Sequence, residues 1–234
     1  MKMTSLSIPG QRGGPGKKDP TLATARARAR RLPAEQRREH LLDVAAAVVR
    51  ERGFEALTME AVRERAGVSR GLGYAHFANA EELAFALYER EVADLDGRVA
   101  AATAPAQSFD ARVRAGTRAY FDFVAERGDL LATLQTRLGG HRLRRSLTPR
   151  LGGLIGYWSR QLEDEFGVSP ELAESLARAA LAASDALARA WRAKRLARGD
   201  AERLCVEFML GGLRRSLGVG ASARKAPAAS RVRP

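Results

Sequence analysis

Cysteine is nearly absent: Cys205 is the one thiol in 234 residues, so no internal disulfide can brace the fold. Histidine is scarce as well, and His40, His76 and His141 are too scattered to give a metal-ligand spacing, so no metal site is expected. No apolar run approaches the roughly 18 residues of a membrane span, and Met1 to Gln11 holds no apolar block of a secretory signal. The expected location is cytoplasmic, without membrane association. Isoleucine occurs only at Ile8 and Ile155, which disfavours β-structure. Catalytic signatures are missing too. There is no G-x-S-x-G or H-E-x-x-H, and Gly13-Gly14-Pro15-Gly16-Lys17-Lys18 fails as a phosphate loop because Lys18 takes the Ser/Thr position and no strand precedes it. No enzyme and no cofactor are expected.

What is present is a 45% share of apolar side chains, enough to bury a core in one large domain or two small ones. The formal net charge is +13, and it is unevenly placed: residues 1–32 carry +7, residues 214–234 carry +6, and 33–213 are neutral. Clustered charge makes a strong local field where dispersed charge does not, so these ends suit either a polyanion partner or a solubilising role. Residues 1–20 are rich in Gly and Pro and poor in large apolar groups. Residues 1–32 therefore read as a disordered basic arm and 218–234 as a disordered basic tail.

Between the ends, Ala, Leu, Arg and Glu dominate and the periodicity is helical. Leu41, Leu42, Ala45, Val48 and Val49 recur after Pro33 and before Gly53, which predicts a helix over 34–52. Thr58 can cap a helix from 59 to about 65 that Gly67 closes. Ser69 can cap a short one to about 77, and Asn79 a longer one broken at Ala104-Pro105. Further helices are expected at 108–126, 128–138, 150–166, 170–198 and 200–217, punctuated by Gly128, Gly139-Gly140, Pro149, Gly167, Pro170 and Gly199.

Thr58 to Leu83 carries the chemistry. Two short helices, each begun by a hydroxyl cap and joined by a glycine turn, are the recipe for a helix-turn-helix. Val62, Ala66 and Val68 supply its apolar face. The second helix offers free N–H groups and a positive dipole end to phosphates or base edges. Gly53-Phe54, Thr58-Met59, Ala66-Gly67-Val68-Ser69, Tyr74, His76-Phe77 and Glu82-Leu83, in that order, resemble the DNA-binding domain of the TetR (tetracycline-repressor) family over about residues 34–90.

The resemblance implies an all-α fold, with an N-terminal three-helix helix-turn-helix domain at 33–90 and a helical-bundle ligand-binding and dimerisation domain at 91–217. It implies a homodimer that binds a near-palindromic double-stranded DNA operator, responds to a small-molecule effector and acts as a repressor. Thr58, Ser69, Tyr74 and His76 would contact phosphates, and Arg70, Gly71 and Leu72 would meet base edges. Arg70 has the chemistry for this, since its guanidinium can fork to guanine O6 and N7; ring packing at Tyr74 and core burial at His76 are the competing readings. Two other functions remain open: a sequence-tolerant nucleic-acid-packaging protein that uses its basic tails, and a helical small-molecule carrier or enzyme with a degenerate helix-turn-helix.

Three positions depart from the family pattern. Gly73 stands where a large aliphatic usually fills the motif's core, Arg63 where a small residue usually lets the helices approach, and Ala80 where a lysine usually grips phosphate. The methylenes of Arg63 are expected to cover the space at Gly73; were Leu72 to turn inward instead, it would leave the base-contacting set. Residues 33–90 carry eight bases against ten acids. Phosphate neutralisation must then come from elsewhere, and Arg26, Arg28, Arg30 and Arg31 on the adjoining arm are the candidates. In the body, Phe121, Phe123, Leu130, Leu131, Leu134, Leu154, Tyr157, Trp158, Leu187, Trp191 and Phe208 are expected core residues, with Tyr157 and Trp158 as candidates for lining a ligand cavity. Leu187, Leu204, Phe208 and Gly212, within the Ala- and Leu-rich spacing of the last two helices, are the expected dimer interface. Cys205 reads as a packing residue.

Overall fold

A computed structural model describes residues 33–138 and 140–217, with backbone alone over 140–152. Among the described residues the structure is all helical: α1 (Ala34–Arg52), α2 (Met59–Ala66), α3 (Arg70–His76), α4 (Ala80–Thr103), α5 (Phe109–Arg137), α6 (Gly140–Phe166), α7 (Pro170–Arg192) and α8 (Arg198–Ser216), plus one 3-10 turn at Phe54–Ala56. No described helix is long and apolar enough to cross a membrane.

Helices α2, α3 and α4 start where their side-chain caps dictate. Thr58 Oγ1 accepts the Ala61 N–H at 3.1 Å, Ser69 Oγ the Leu72 N–H at 3.3 Å and Asn79 Oδ1 the Glu82 N–H at 2.8 Å. Glu82 completes a reciprocal cap by accepting the Ala78 N–H at 2.7 Å. Each such cap is worth about 1 kcal/mol. Gly67 turns the chain with φ of 68°, and the Val68 N–H closes back on the Arg63 carbonyl at 3.0 Å, so α2 ends in a left-handed cap that favours glycine.

Three later boundaries differ from expectation. The segments 108–126 and 128–138 are one helix, α5, which passes straight through Gly128. A helical glycine costs about 1 kcal/mol against alanine, less than the burial gained when Leu130 and Leu134 pack on the amino-terminal core. Helix α6 begins at Gly140 instead of 150 and continues through Pro149; Leu143, Arg144 and Arg145, good helix formers, precede that proline. Helix α7 stops at Arg192, short of 198, because the chain turns off at Lys194 with φ of 57° and Arg195 donates back to the Ala190 carbonyl at 2.9 Å. No glycine marks that turn, so the sequence pattern carried no signal for it.

Two interiors result. The amino-terminal core joins α1, α2, α3 and the first half of α4, and the last turns of α5 seal it through Leu130, Leu134 and Leu138. Leu42, Ala45, Val48, Leu83 and Leu87 are entirely buried there. The second half of α4 then packs with α5 to α8 in a bundle whose apolar groups fall into three smaller clusters. Helix α4 runs unbroken through residue 90 and belongs to both interiors.

Candidate DNA-contacting surface and ligand cavity

Helix α3 lies on the surface with its apolar side against α2. Ser69, Arg70, Gly71 and Tyr74 are exposed, as is Thr58 at the start of α2. The Arg70 guanidinium sits 5.7 Å from the centroid of the Tyr74 ring, a cation–π contact that holds both side chains on one outward face. Thr58 and Ser69 use their oxygens as caps, which leaves each hydroxyl hydrogen free to be donated. His76 is half-buried, and burial together with the nearby Arg37 and Arg38 charges pushes its pKa below the ordinary value. It is therefore a neutral ring with one N–H to donate at neutral pH. Sequence reasoning missed Arg37 and Arg38; their adjacent placement at the start of α1 was the available signal.

Gly73 is buried, and a Cβ built there would stand 3.6 Å from Arg63 Cβ and 3.9 Å from Met59 Cε. The stem of Arg63 does cover the space beside the glycine. Leu72 is half-buried and packs against the amino-terminal core, which corrects its expected place among the base-contacting residues. With no side chain at Gly73, the neighbouring leucine supplies apolar contact to the motif's interior.

An ion-pair chain ties this domain to the bundle. Arg90 on α4 reaches Asp43 at 2.7 Å and Glu39 at 3.4 Å on α1, and Glu91 at 3.2 Å. The Glu91 side chain is fully buried and is also held by Arg127 of α5 at 2.8 Å. A buried carboxylate is tolerable only when paired this way, and removing either arginine would leave charge stranded.

Directly beyond Glu91 lies a cavity of about 340 Å³. Its wall is mainly apolar, with Val92, Leu95 and Val99 from α4, Val113, Val124 and Leu131 from α5, Leu154 and Trp158 from α6, and Leu181 and Met209 from α7 and α8. Trp158 reaches the wall across Gly116: a Cβ at that glycine would come within 2.8 Å of Trp158 Cζ2. Tyr157, the other expected lining residue, does not line the cavity. Successive helical residues point about 100° apart, and Tyr157 instead meets the Trp158 ring edge-on at 5.2 Å. The polar groups on the wall include Tyr120, whose hydroxyl donates to Asp185 at 3.4 Å and whose burial pushes its pKa up to about 12. Most of the wall comes from α4 and α5, and the mid-helix glycines 116 and 128 were the sequence signal for it.

Residues 41–87 match the model of the family described as bacterial regulatory proteins, tetR family. The match covers the helix-turn-helix and not the helical bundle. It is 38% identical over 97 residues to the HTH-type transcriptional activator FasR of Mycolicibacterium smegmatis, a match spanning 42% of this chain and 44% of that relative. The chain thus aligns with less than half of that relative's length. The whole fold resembles a protein of Pseudomonas aeruginosa PAO1 described as a transcriptional regulator, at a TM-score of 0.66 and 22% identity over 80% of this chain and 95% of that one. It also resembles the transcriptional regulator FadR of Bacillus subtilis, solved in complex with stearoyl-CoA, at a TM-score of 0.60 and 18% identity over 74% of this chain and 98% of that one.

In this chain the last two helices leave an apolar face uncovered. Leu172, Leu204 and Phe208 are exposed, Phe208 by 65%, and a Cβ at Gly211 or Gly212 would meet nothing. Phe208, expected among the core residues, points outward, because Cys205, Val206 and Leu210 take the inward side of α8. Leu187, expected at the same face, is instead half-buried against the cluster of Phe121 and Cys205. Cys205 is fully buried, 3.3 Å from Ser184 Oγ, and burial pushes its thiol pKa up, which suits a packing role. The arginines at 26, 28, 30 and 31 lie outside the described residues.

Proposed function

We propose that this chain is a ligand-responsive, DNA-binding transcriptional regulator without enzymatic activity, acting as a homodimer on a near-palindromic operator. One observation carries the reading: α4 is a single unbroken helix whose first half belongs to the core that seats α3, while Val92, Leu95 and Val99 on its second half line the cavity. A ligand that favours one setting of that helix biases the setting of α3, as two-site coupling requires. Arg70 supplies base readout, Thr58, Ser69, Tyr74 and His76 supply phosphate contacts, and Gly71 permits close approach of the backbone. The exposed face of Leu172, Leu204, Phe208 and Gly212 pairs with a second copy. That two-fold arrangement sets two recognition helices about 34–36 Å apart, or a multiple of it.

The effector is a small molecule of largely apolar surface. The wall composition supports this, and so does the stearoyl-CoA held by the similarly folded FadR. Repression or activation is set by where the operator lies relative to the promoter, and the relative FasR bears the name of an activator. Selection of bound sequences from random duplexes tests the proposal. A palindromic motif is the expected result; enrichment without a motif would instead indicate sequence-tolerant packaging by the tails, and no binding at moderate salt a carrier or enzyme. Deleting residues 1–31 is expected to flatten the salt dependence by roughly 0.9 in log–log slope for each phosphate that the arm had neutralised.

A further inference from the structure

Residues 33–90 carry eight bases against ten acids, and several of those bases are already engaged. Arg65 pairs with Glu51 at 2.6 Å, Arg90 with Asp43 at 2.7 Å and Arg63 with Glu64 at 3.3 Å. Arg50 and Arg52 stand at the far end of α1, about 20 Å from its first turns. Arg70 flanks the amino-terminal end of α3. Arg37 and Arg38 remain, and the fold carries them to the opposite end of that helix. The Arg38 guanidinium lies 5.2 Å from the centroid of the ring of Phe77, the residue that closes α3. His76, one residue earlier, feels the charge of both arginines. Arg37 is half-buried, and its Nε is packed away without a hydrogen-bond partner among the described residues, so packing and not a carboxylate sets its position. The acids nearby leave this charge largely uncancelled. Arg38 holds Glu39 only at 3.6 Å, and Arg90 draws the same carboxylate at 3.4 Å. Glu82 is engaged in accepting the Ala78 N–H at 2.7 Å, and Glu35 is exposed to water.

We propose that Arg37 and Arg38 form a phosphate site on α1, gripping the DNA backbone beside the carboxy-terminal end of α3 while Arg70 reads bases at the other end. The proposal rests on the DNA-binding reading above and adds a contact from outside the helix-turn-helix itself. Dimensions support it. Seven helical residues span about 10 Å, close to the roughly 12 Å width of a major groove, so groups at the far end of a seated α3 stand beside a backbone wall. Charge supports it too. His76 at that end is a neutral ring at neutral pH and offers only an N–H, so a phosphate there needs its charge met by a neighbour. Arg38 gives up a long, exposed and shared ion pair at little cost, and a phosphate returns a charge-assisted, forked contact.

Fluorescence anisotropy of the full chain on the palindromic duplex recovered by the selection above, run across a salt series, tests this. In Arg37→Gln/Arg38→Gln the log–log salt dependence should flatten by roughly 1.8, from one phosphate at about 0.9 on each of two half-sites. Affinity at moderate salt should fall about tenfold for each half-site. Sequence preference should stay that of the parent, because a phosphate contact positions without specifying. Arg37→Gln alone, which leaves the Phe77 contact intact, should flatten the slope in the same direction. Arg37→Lys/Arg38→Lys should keep most of the slope, since lysine meets phosphate as a point charge; a purely structural role over Phe77 would not sort the variants by charge. A slope unmoved by the glutamine pair, or lost equally with the lysines, overturns the site on α1 and leaves the regulator reading standing. Recovery of no palindromic duplex overturns the site and that reading together.

Discussion

Leu83, Ala84 and Leu87 on the first half of α4 are sealed among the side chains of α1, α2 and α5, whereas Val92, Leu95 and Val99 on the second half face a cavity of about 340 Å³. The residue types hardly differ. What differs is the company. The amino-terminal end is closed by large side chains converging from four helices, whereas at the other end Trp158 and Arg192 lie across Gly116 and Gly128 as parts of a wall around unfilled space. The lesson is that one helix can serve a rigid reader and an adaptable container without any change in its own composition.

The sharpest way to break that comparison is truncation on either side of it. Phe77→Ala removes a fully enclosed ring and should cost about 3–5 kcal/mol, whereas Leu95→Ala, already facing a void, should stay near the low end of about 2 kcal/mol. Equal losses in denaturant unfolding would show that the two interiors are packed alike. Next in size, Gly116→Ala drives a Cβ toward the Trp158 ring, and overpacking of this kind costs about 1–3 kcal/mol. Ligand affinity should change while operator affinity without ligand does not; a parallel loss of both would mean that the cavity is no separate compartment.

Arg70→Ala bears on the reader alone. It should weaken operator binding by about 1–3 kcal/mol and relax specificity at one position, with no change in stability. Gly73→Ala is smaller and opposite in sign: the added Cβ meets only ordinary contacts, so relief of the glycine penalty should stabilise the fold by up to about 1 kcal/mol. Gly73→Leu should lose that gain unless Arg63 is shortened as well, and strict additivity in the double-mutant cycle would sever the link between these two sites.

The smallest effect concerns His76. Its folded pKa is depressed by burial and by Arg37 and Arg38, so the unfolded chain takes up the proton first as pH falls. The stability it contributes is therefore complete above the unfolded value of about 6.5 and is lost as pH drops below it. Urea midpoints should decline across that window in the parent chain and decline less in His76→Gln. Identical slopes would remove His76 from the pH response.

Much of the reader was legible in the sequence. Thr58, Ser69 and Asn79 announce helix starts, Gly67 announces the turn, and the spacing of Val62, Ala66 and Val68 marks the buried side, because caps, left-handed turns and helical periodicity act over a few neighbouring residues. The body was legible as helix but not as a container. Gly128 reads locally as a break, yet α5 runs through it; Phe208 reads both as core and as dimer face, and only the fold puts it outside; Tyr157 and Trp158 are neighbours in sequence, and only the tryptophan reaches the cavity. Each of these depends on which distant side chain occupies the facing position.

The sequence by itself determined that this protein is helical, where its helix-turn-helix begins and ends, which side chains cap it, and that its charge gathers at two ends of a neutral body. Only the tertiary structure decided that Leu72 turns toward the core beside Gly73, that α4 is shared between reader and cavity, and that Arg192 crosses Gly128 to reach the cavity wall. The reason is range. Capping and periodicity are settled by hydrogen bonds and burial within a turn or two of the chain, while a cavity is defined by side chains that do not meet, and their absence from one another exists only once five helices have been brought together.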